Sequence, residues 1–233
     1  MYVIFEGPDF SGKTTTMHSV AEELRKKLSN ISILETHHPG STPLGKHLRK
    51  LVKNPESIGP DIVMDPLSRQ LLYIADAVSF TKSILEPSLA NGEVVLADRS
   101  GLISSIIYGS VEGINLDRIM KFNSIVSPPI ADRVYILRCG FDTIKERAKN
   151  RNNIDYFDNK PDVFLQNIVN AYDNLLTGSI EVIMAITRSV QIKDVIYIDT
   201  SEPLCSVVDT ITNDILGLYK DRIIRSRFEN EIE

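Results

Sequence analysis

The stretch GPDFSGKTT, Gly7–Thr15, places glycines at 7 and 12 and a Lys-Thr pair at 13 and 14, which satisfies the spacing G-x-x-x-x-G-K-[ST]. It follows an apolar run, YVIFE at 2–6, and precedes a helical pattern, Lys13–Leu28, the strand, loop and helix order that a phosphate-binding loop requires. Glycines let such a backbone curl until its N–H groups and the helix N-terminus face phosphate oxygens. Lys13 then reaches the β- and γ-phosphates of a nucleoside triphosphate, and the Thr14 hydroxyl sits on Mg²⁺. Gly7, Pro8, Asp9, Phe10, Ser11, Gly12, Lys13, Thr14 and Thr15 are therefore the candidate ATP contacts. Two of them are out of place: Asp9 puts a carboxylate among phosphates, and Phe10 puts a large apolar ring in the middle of the loop.

Outward from the loop, short β-branched runs alternate with longer helical segments. Strands are expected at Tyr2–Glu6, Ile31–Glu35, Glu93–Asp98, Arg133–Arg138 and Val195–Asp199. Helices are expected at Lys13–Leu28, Pro66–Ala90, Leu116–Ser127, Asp142–Asn150 and Asp162–Arg188. The alternation predicts an α/β fold, a parallel five-stranded sheet with helices on both faces, as one domain over residues 1–233. Ligands in such folds bind beyond the carboxyl ends of the strands. A second cluster, ADRS at 97–100, ends the third run at that same edge. Asp98 is suited to hold Mg²⁺ or its waters, and Arg99 to grip a second anion.

At 233 residues and 42% hydrophobic, the chain can bury a full core. No run approaches the roughly 20 apolar residues of a bilayer span, and the opening segment lacks signal-peptide order, so no membrane and a cytoplasmic address are expected. A formal charge of −5 without a Lys/Arg block excludes a nucleic-acid polymer as the expected partner and leaves small nucleotides. Cys139 and Cys205 form no CxxC pair, and the four histidines lack ligand spacing.

Together these segments resemble the thymidylate kinases. MYVIFEGPDFSGKTT is similar to that family's first strand and loop, THHPGSTPLGKHLR to its TREPGGTPLGEKIR, LLYIADA to its LLFAADR, ADRS to its DRY turn and IDTSEP to its late strand and adenine-side loop, all in family order up to about Leu204. The resemblance implies a P-loop NTPase-type fold with a short basic lid at about 147–160, a homodimer, and transfer of the γ-phosphoryl group of ATP, with Mg²⁺, to dTMP or dUMP. It also implies that Asp9 faces the acceptor's sugar and phosphate, and that Arg99 and Arg49 bind on the acceptor side. Tyr73 stacks on the base, and Ser104 lies near the base edge. In the lid segment ERAKNRNNIDYFD, Arg147, Lys149 and Arg151 fall on basic positions. Because Phe10 brings no arginine to the loop, Arg151 is the first candidate for the catalytic cation, with Arg147 either beside it or supporting the adenine.

Several positions depart from the family pattern. Its base-reading arginine is Ala77, the tyrosine after DR is Ser100, AYQ is matched by Ile107 and Tyr108, and His37 and His38 replace an Arg-Glu pair. Arg69, Tyr73 and Ala77 share one helical face. Arg69, Tyr108 and His38 are thus substrate-side candidates, with Arg69 or Tyr108 expected to take over base contact. Two other readings are open: a kinase for a purine or modified nucleoside monophosphate, and a nucleotide-switched binding protein built on the same loop.

Overall fold

In the computed structural model, residues 1–28, 30–57, 59, 62, 64–149, 156–157, 160–175, 177 and 180–230 are described. The elements run β1 (Tyr2–Glu6), α1 (Lys13–Lys27), β2 (Ile33–His37), α2 (Pro43–Lys53), α3 (Pro66–Phe80), α4 (Glu86–Ala90), β3 (Val94–Asp98), α5 (Gly101–Val111), α6 (Leu116–Asn123), β4 (Arg133–Arg138), α7 (Phe141–Ala148), α8 (Asp162–Asp173), α9 (Ile180–Val190), β5 (Val195–Asp199) and α10 (Leu204–Asn230).

The strands form one parallel sheet in the order β2-β3-β1-β4-β5. β1 and β3 are buried along their whole length, which is why YVIFE and VVLAD read as continuous runs without alternation. Tyr2, Ile4, Val95 and Ala97 point into a core shared with α3, α5, α6, α8 and α9. Val3, Phe5, Val94 and Leu96 point the other way, onto α1 and α10. The chain leaves β1 toward β2 and later crosses to β4 on the other side, so the connections part beside β1 and open a crevice at the strands' carboxyl ends. Register brings Glu6, His37, Asp98, Arg138 and Asp199 to that edge.

Several expected boundaries move. β2 starts two residues late, because the Ile31 N–H turns back onto Leu28 O at 3.3 Å; it then pairs with β3 as far as His37↔Asp98. The segment Pro66–Ala90 is α3, a π turn at Thr81–Leu85, then α4. Pro87, near the start of α4, has no N–H for a bond one turn back, and the widened turn absorbs that loss. The segment Asp162–Arg188 is two helices: Asn174 closes α8 by bonding Asn170 O through both its backbone N–H (3.0 Å) and its side chain (2.8 Å). α9 is then a separate packing element whose Ile186 and Val190 join the core.

Candidate active site

The loop after β1 needs its glycines for space and for backbone conformation. A Cβ on Gly7 would lie 2.1 Å from Leu137 O, and Gly12, which precedes α1, has φ +90°. Phe10 also adopts a left-handed conformation, φ +65°. Its ring packs onto Cys139, Ile144 and Val169 with Phe141 and Leu165, so the odd aromatic fastens the loop to β4, α7 and α8.

Lys13 begins α1 and folds back to donate to Pro8 O at 2.7 Å. Burial, aided by the charge of Arg99, lowers its pKa to about 8 against the pull of Asp9, Asp98 and Glu6. Thr14 Oγ1 donates to Asp98 Oδ2 across the crevice. These are hard oxygen donors of the kind Mg²⁺ takes from a protein when phosphates and water supply the rest of its shell, so the pair fits that ion.

Asp9 is the loop's bridge to the opposite wall. Arg99 Nη2 donates to its Oδ1 at 2.6 Å, and the Tyr108 hydroxyl donates to Oδ2 at 3.3 Å. Burial works against the charged carboxylate, but Arg99, Lys13 and Lys53 outweigh it and hold the Asp9 pKa far below the usual range. Arg99 itself sits at φ +77° directly after β3, its N–H on Phe5 O, with Nη1 donating to Gly7 O (3.0 Å) and to the Tyr172 hydroxyl (2.8 Å).

Beneath Arg99 lies Glu6, which is fully buried. It accepts from Ser100 N–H (2.7 Å), the Tyr172 hydroxyl (2.7 Å), Ser104 Oγ (3.2 Å) and Gly7 N–H (3.3 Å). Burial pushes its carboxyl upward, and Arg99, the Ser100 N–H, Tyr172 and Lys13 oppose that push. Glu6 and Tyr172 were missed in the sequence: Glu6 reads there as the end of a strand, and Tyr172 as an aromatic in a helix.

A cavity of about 900 Å³ collects Asp9, Lys13, Thr14, Asp98, Arg99 and Arg147 with His38, Arg49, Tyr73, Ser104 and Tyr108. Arg49 donates to Pro39 O at 2.7 Å. Arg147 Nη2 donates to Thr200 O at 2.9 Å and Nη1 to Phe10 O at 3.3 Å, which ties the end of α7 to the loop and to the turn after β5. Arg151 lies outside the described residues, as does much of the lid expected at 147–160. Arg69 is not on the cavity wall. It is fully buried, paired with Glu112, and its guanidinium lies 4.0 Å from the Tyr156 ring centroid; a base contact from Arg69 is replaced by a structural one. Residues 159–162 spell NKPD, the letters of the guanine-reading NKxD motif; Lys160 lies over the Tyr156 ring and Asp162 opens α8, paired with Lys145.

The thymidylate kinase family model matches residues 5–196. The chain belongs to the thymidylate kinase family. Members of this family phosphorylate dTMP with ATP, and the chain is a nucleoside monophosphate kinase, a phosphotransferase. A probable thymidylate kinase from Caldivirga maquilingensis is 26% identical over 222 residues, covering 95% of this chain and 94% of its own. A thymidylate kinase from Caldicellulosiruptor saccharolyticus is 37% identical over 137 residues, 58% of this chain and 63% of its own. The crystal structure of thymidylate kinase from Ehrlichia chaffeensis shares the fold, with a TM-score of 0.66 at 22% identity over 93% of this chain and 98% of that one. Against this family pattern, Ala77 is buried against the start of α5, where a Cβ on Gly101 would lie 3.0 Å from the Ala77 Cβ. Among the described residues, no helix is long and apolar enough to cross a membrane.

Proposed function

We propose that this protein transfers the γ-phosphoryl group of Mg-ATP to the 5′-phosphate of a pyrimidine deoxynucleoside monophosphate, dTMP or dUMP, giving the diphosphate. The observation that carries the reading is the shared cavity, in which a phosphate-loop lysine and threonine line the same space as a second, carboxylate-held arginine. Phosphoryl transfer needs mainly alignment and cationic clamping. Lys13 draws the donor's terminal phosphates to the loop, and Arg99 holds the acceptor phosphate in line with them. Asp9, kept ionised, fixes Arg99 and accepts from the acceptor's sugar hydroxyl. The acceptor phosphate is largely ionised at neutral pH, its second pKa being near 6, so no general base is required. Thr14 and Asp98 would hold Mg²⁺, whose charge, when bound, offsets that of the donor's phosphates.

The chain is taken as one catalytic unit with residues 147–160 as its lid. The described part of that segment touches both sides of the cavity: Arg147 bonds Phe10 O, while Phe157 lies edge-on to Tyr108 at 5.0 Å and the Tyr156 N–H bonds Lys53 O at 2.8 Å. Incubation with Mg-ATP and, in turn, dTMP, dUMP, dCMP, dGMP and dAMP tests the reading. ADP formation that depends on dTMP or dUMP is expected. Transfer to none of the five, or ATP hydrolysis indifferent to all of them, overturns it.

A further inference from the structure

His38 follows β2 at the carboxyl edge of the sheet and is 4% exposed. One backbone bond and two ring contacts fix its position. The backbone N–H bonds Asp98 O at 2.9 Å, Phe80 meets the ring edge-on at 4.1 Å, and Nδ1 lies 3.1 Å from Asp76 Oδ2. Asp76, 1% exposed, has its other oxygen occupied by the Gly40 N–H at 3.2 Å. α2 gives way to seat that carboxylate, since a Cβ on Gly45 would come within 2.2 Å of Asp76 Oδ1. The start of α5 gives way similarly: a Cβ on Gly101 would lie 3.5 Å from His38 Nδ1.

In the neutral imidazole, an acceptor-only carboxylate at Nδ1 places the ring proton there and leaves Nε2 as a lone pair. Among the described residues Nε2 has no hydrogen-bond partner, nor is it one of the polar atoms sealed away without one. His38 and Asp76 both line the cavity, together with Tyr73, Ser104 and Tyr108. A ring nitrogen held this firmly, in a largely buried side chain, needs a donor from whatever enters the cavity.

We infer that His38 Nε2, oriented by Asp76, accepts a hydrogen bond from the imide N3–H of the acceptor base and thereby selects 4-oxo pyrimidines over cytosine. This rests on the pyrimidine kinase reading above and adds its base-reading residue. Thymine and uracil carry a proton on N3; cytosine presents a lone pair there, which opposes the Nε2 lone pair. Asp76 is a positioning residue: it sets the tautomer and does not touch the base.

The test is a comparison of kcat/KM for dTMP, dUMP and dCMP in the wild type, His38→Asn and Asp76→Asn, with N3-methyl-dTMP as a fourth substrate for the wild type. Asparagine at 38 keeps a donor to Asp76 and removes Nε2. It should cut kcat/KM for dTMP about 10- to 100-fold, mainly through KM, while the KM for ATP stays put. Asparagine at 76 can still accept from Gly40 while donating to Nδ1, which drives the proton to Nε2. The dTMP/dCMP preference should then fall by at least tenfold, with dCMP gaining in relative terms, a change that loosened packing alone does not produce. The wild type should reject N3-methyl-dTMP at least tenfold relative to dTMP. If both variants keep the wild-type dTMP/dCMP ratio, or the wild type accepts N3-methyl-dTMP as well as dTMP, the inference is overturned and the kinase reading stands. Acceptance of the methyl analogue overturns the inference even if both variants misfold. A wild type that transfers to no pyrimidine monophosphate overturns both.

Discussion

The loop wall and the opposite wall of the cavity are made in different ways. Along the loop, the groups that would meet phosphate come from one unbroken stretch, Gly7–Thr15, and much of what they offer is backbone N–H, so the positions are set by glycine spacing and by the turn into α1. The opposite wall is assembled from side chains on separate elements: His38 after β2, Arg49 on α2, Tyr73 and Asp76 on α3, Arg99 after β3 and Tyr108 on α5, with the buried Tyr172 of α8 bonded to Arg99 behind it. A site of the first kind depends on the glycines that shape the loop and on a few side chains aimed at phosphate or at the opposite wall. A site of the second kind depends on each polar partner being matched by another, and a change at one is answered at its neighbours.

Lys13→Ala is the sharpest probe of the loop wall. Removing the cation that faces the terminal phosphates should lower kcat by about 10³-fold or more, measured as ADP release with saturating acceptor. The fold should be kept, because Lys13 bonds only the backbone of its own loop. An effect confined to KM for ATP would mean that the loop binds without assisting transfer.

Arg99→Met probes the opposite wall and should fail in two ways at once. Acceptor kcat/KM should drop by about 10²- to 10³-fold, and stability should fall by about 3–5 kcal/mol, since Glu6 and Asp9 lose the charge that compensates them inside the protein. The loop variant costs activity alone, whereas this one costs activity and stability together. Equal stability loss in Lys13→Ala and Arg99→Met, followed by urea unfolding, would erase the distinction between the walls.

The same contrast explains what could be read from the sequence. Local spacing carried the loop, the ADRS turn and all five strands. α5 was not delimited as a helix because GLISSIIYGSV is buried on nearly every side and shows no polar face. Glu6 was unreadable as a hub because its partners Ser100, Ser104 and Tyr172 are distant in sequence and meet it only across the folded sheet edge. Arg69 was misplaced for a related reason. Helical period put it on one face with Tyr73, but period does not reveal that Glu112 and Tyr156 arrive to enclose it.

Arg69→Met therefore separates support from recognition. It leaves Glu112 buried without its cation and should cost about 3–5 kcal/mol of stability, while the ratio of kcat/KM for dTMP and dUMP stays within about twofold. A changed dTMP/dUMP ratio at unchanged stability would return Arg69 to the recognition wall.

The smallest effect is a pH dependence confined to the loop wall. The Lys13 pKa lies at about 8 in the folded protein, below the 10.5 of an unperturbed lysine, because burial disfavours its charge. Between these values the unfolded chain holds a proton that the folded chain has released, so this group's contribution to stability rises with pH across that window. Nucleotide affinity moves the opposite way. The triphosphate calls for the charged amine, and above pH 8 binding must first restore the proton, which weakens ATP by up to about tenfold per pH unit until the pKa of the bound state is reached. Titrating ATP calorimetrically from pH 7 to pH 9.5 should show a flat region, a bend near pH 8 and proton uptake beyond it. In Lys13→Ala both the bend and the uptake should vanish. Acceptor affinity should show no bend at that pH, since Asp9 and Arg99 hold their charges throughout the range: the Asp9 pKa is far below it and the Arg99 pKa well above it. A bend of equal size in the acceptor titration would show that the two walls share the Lys13 charge.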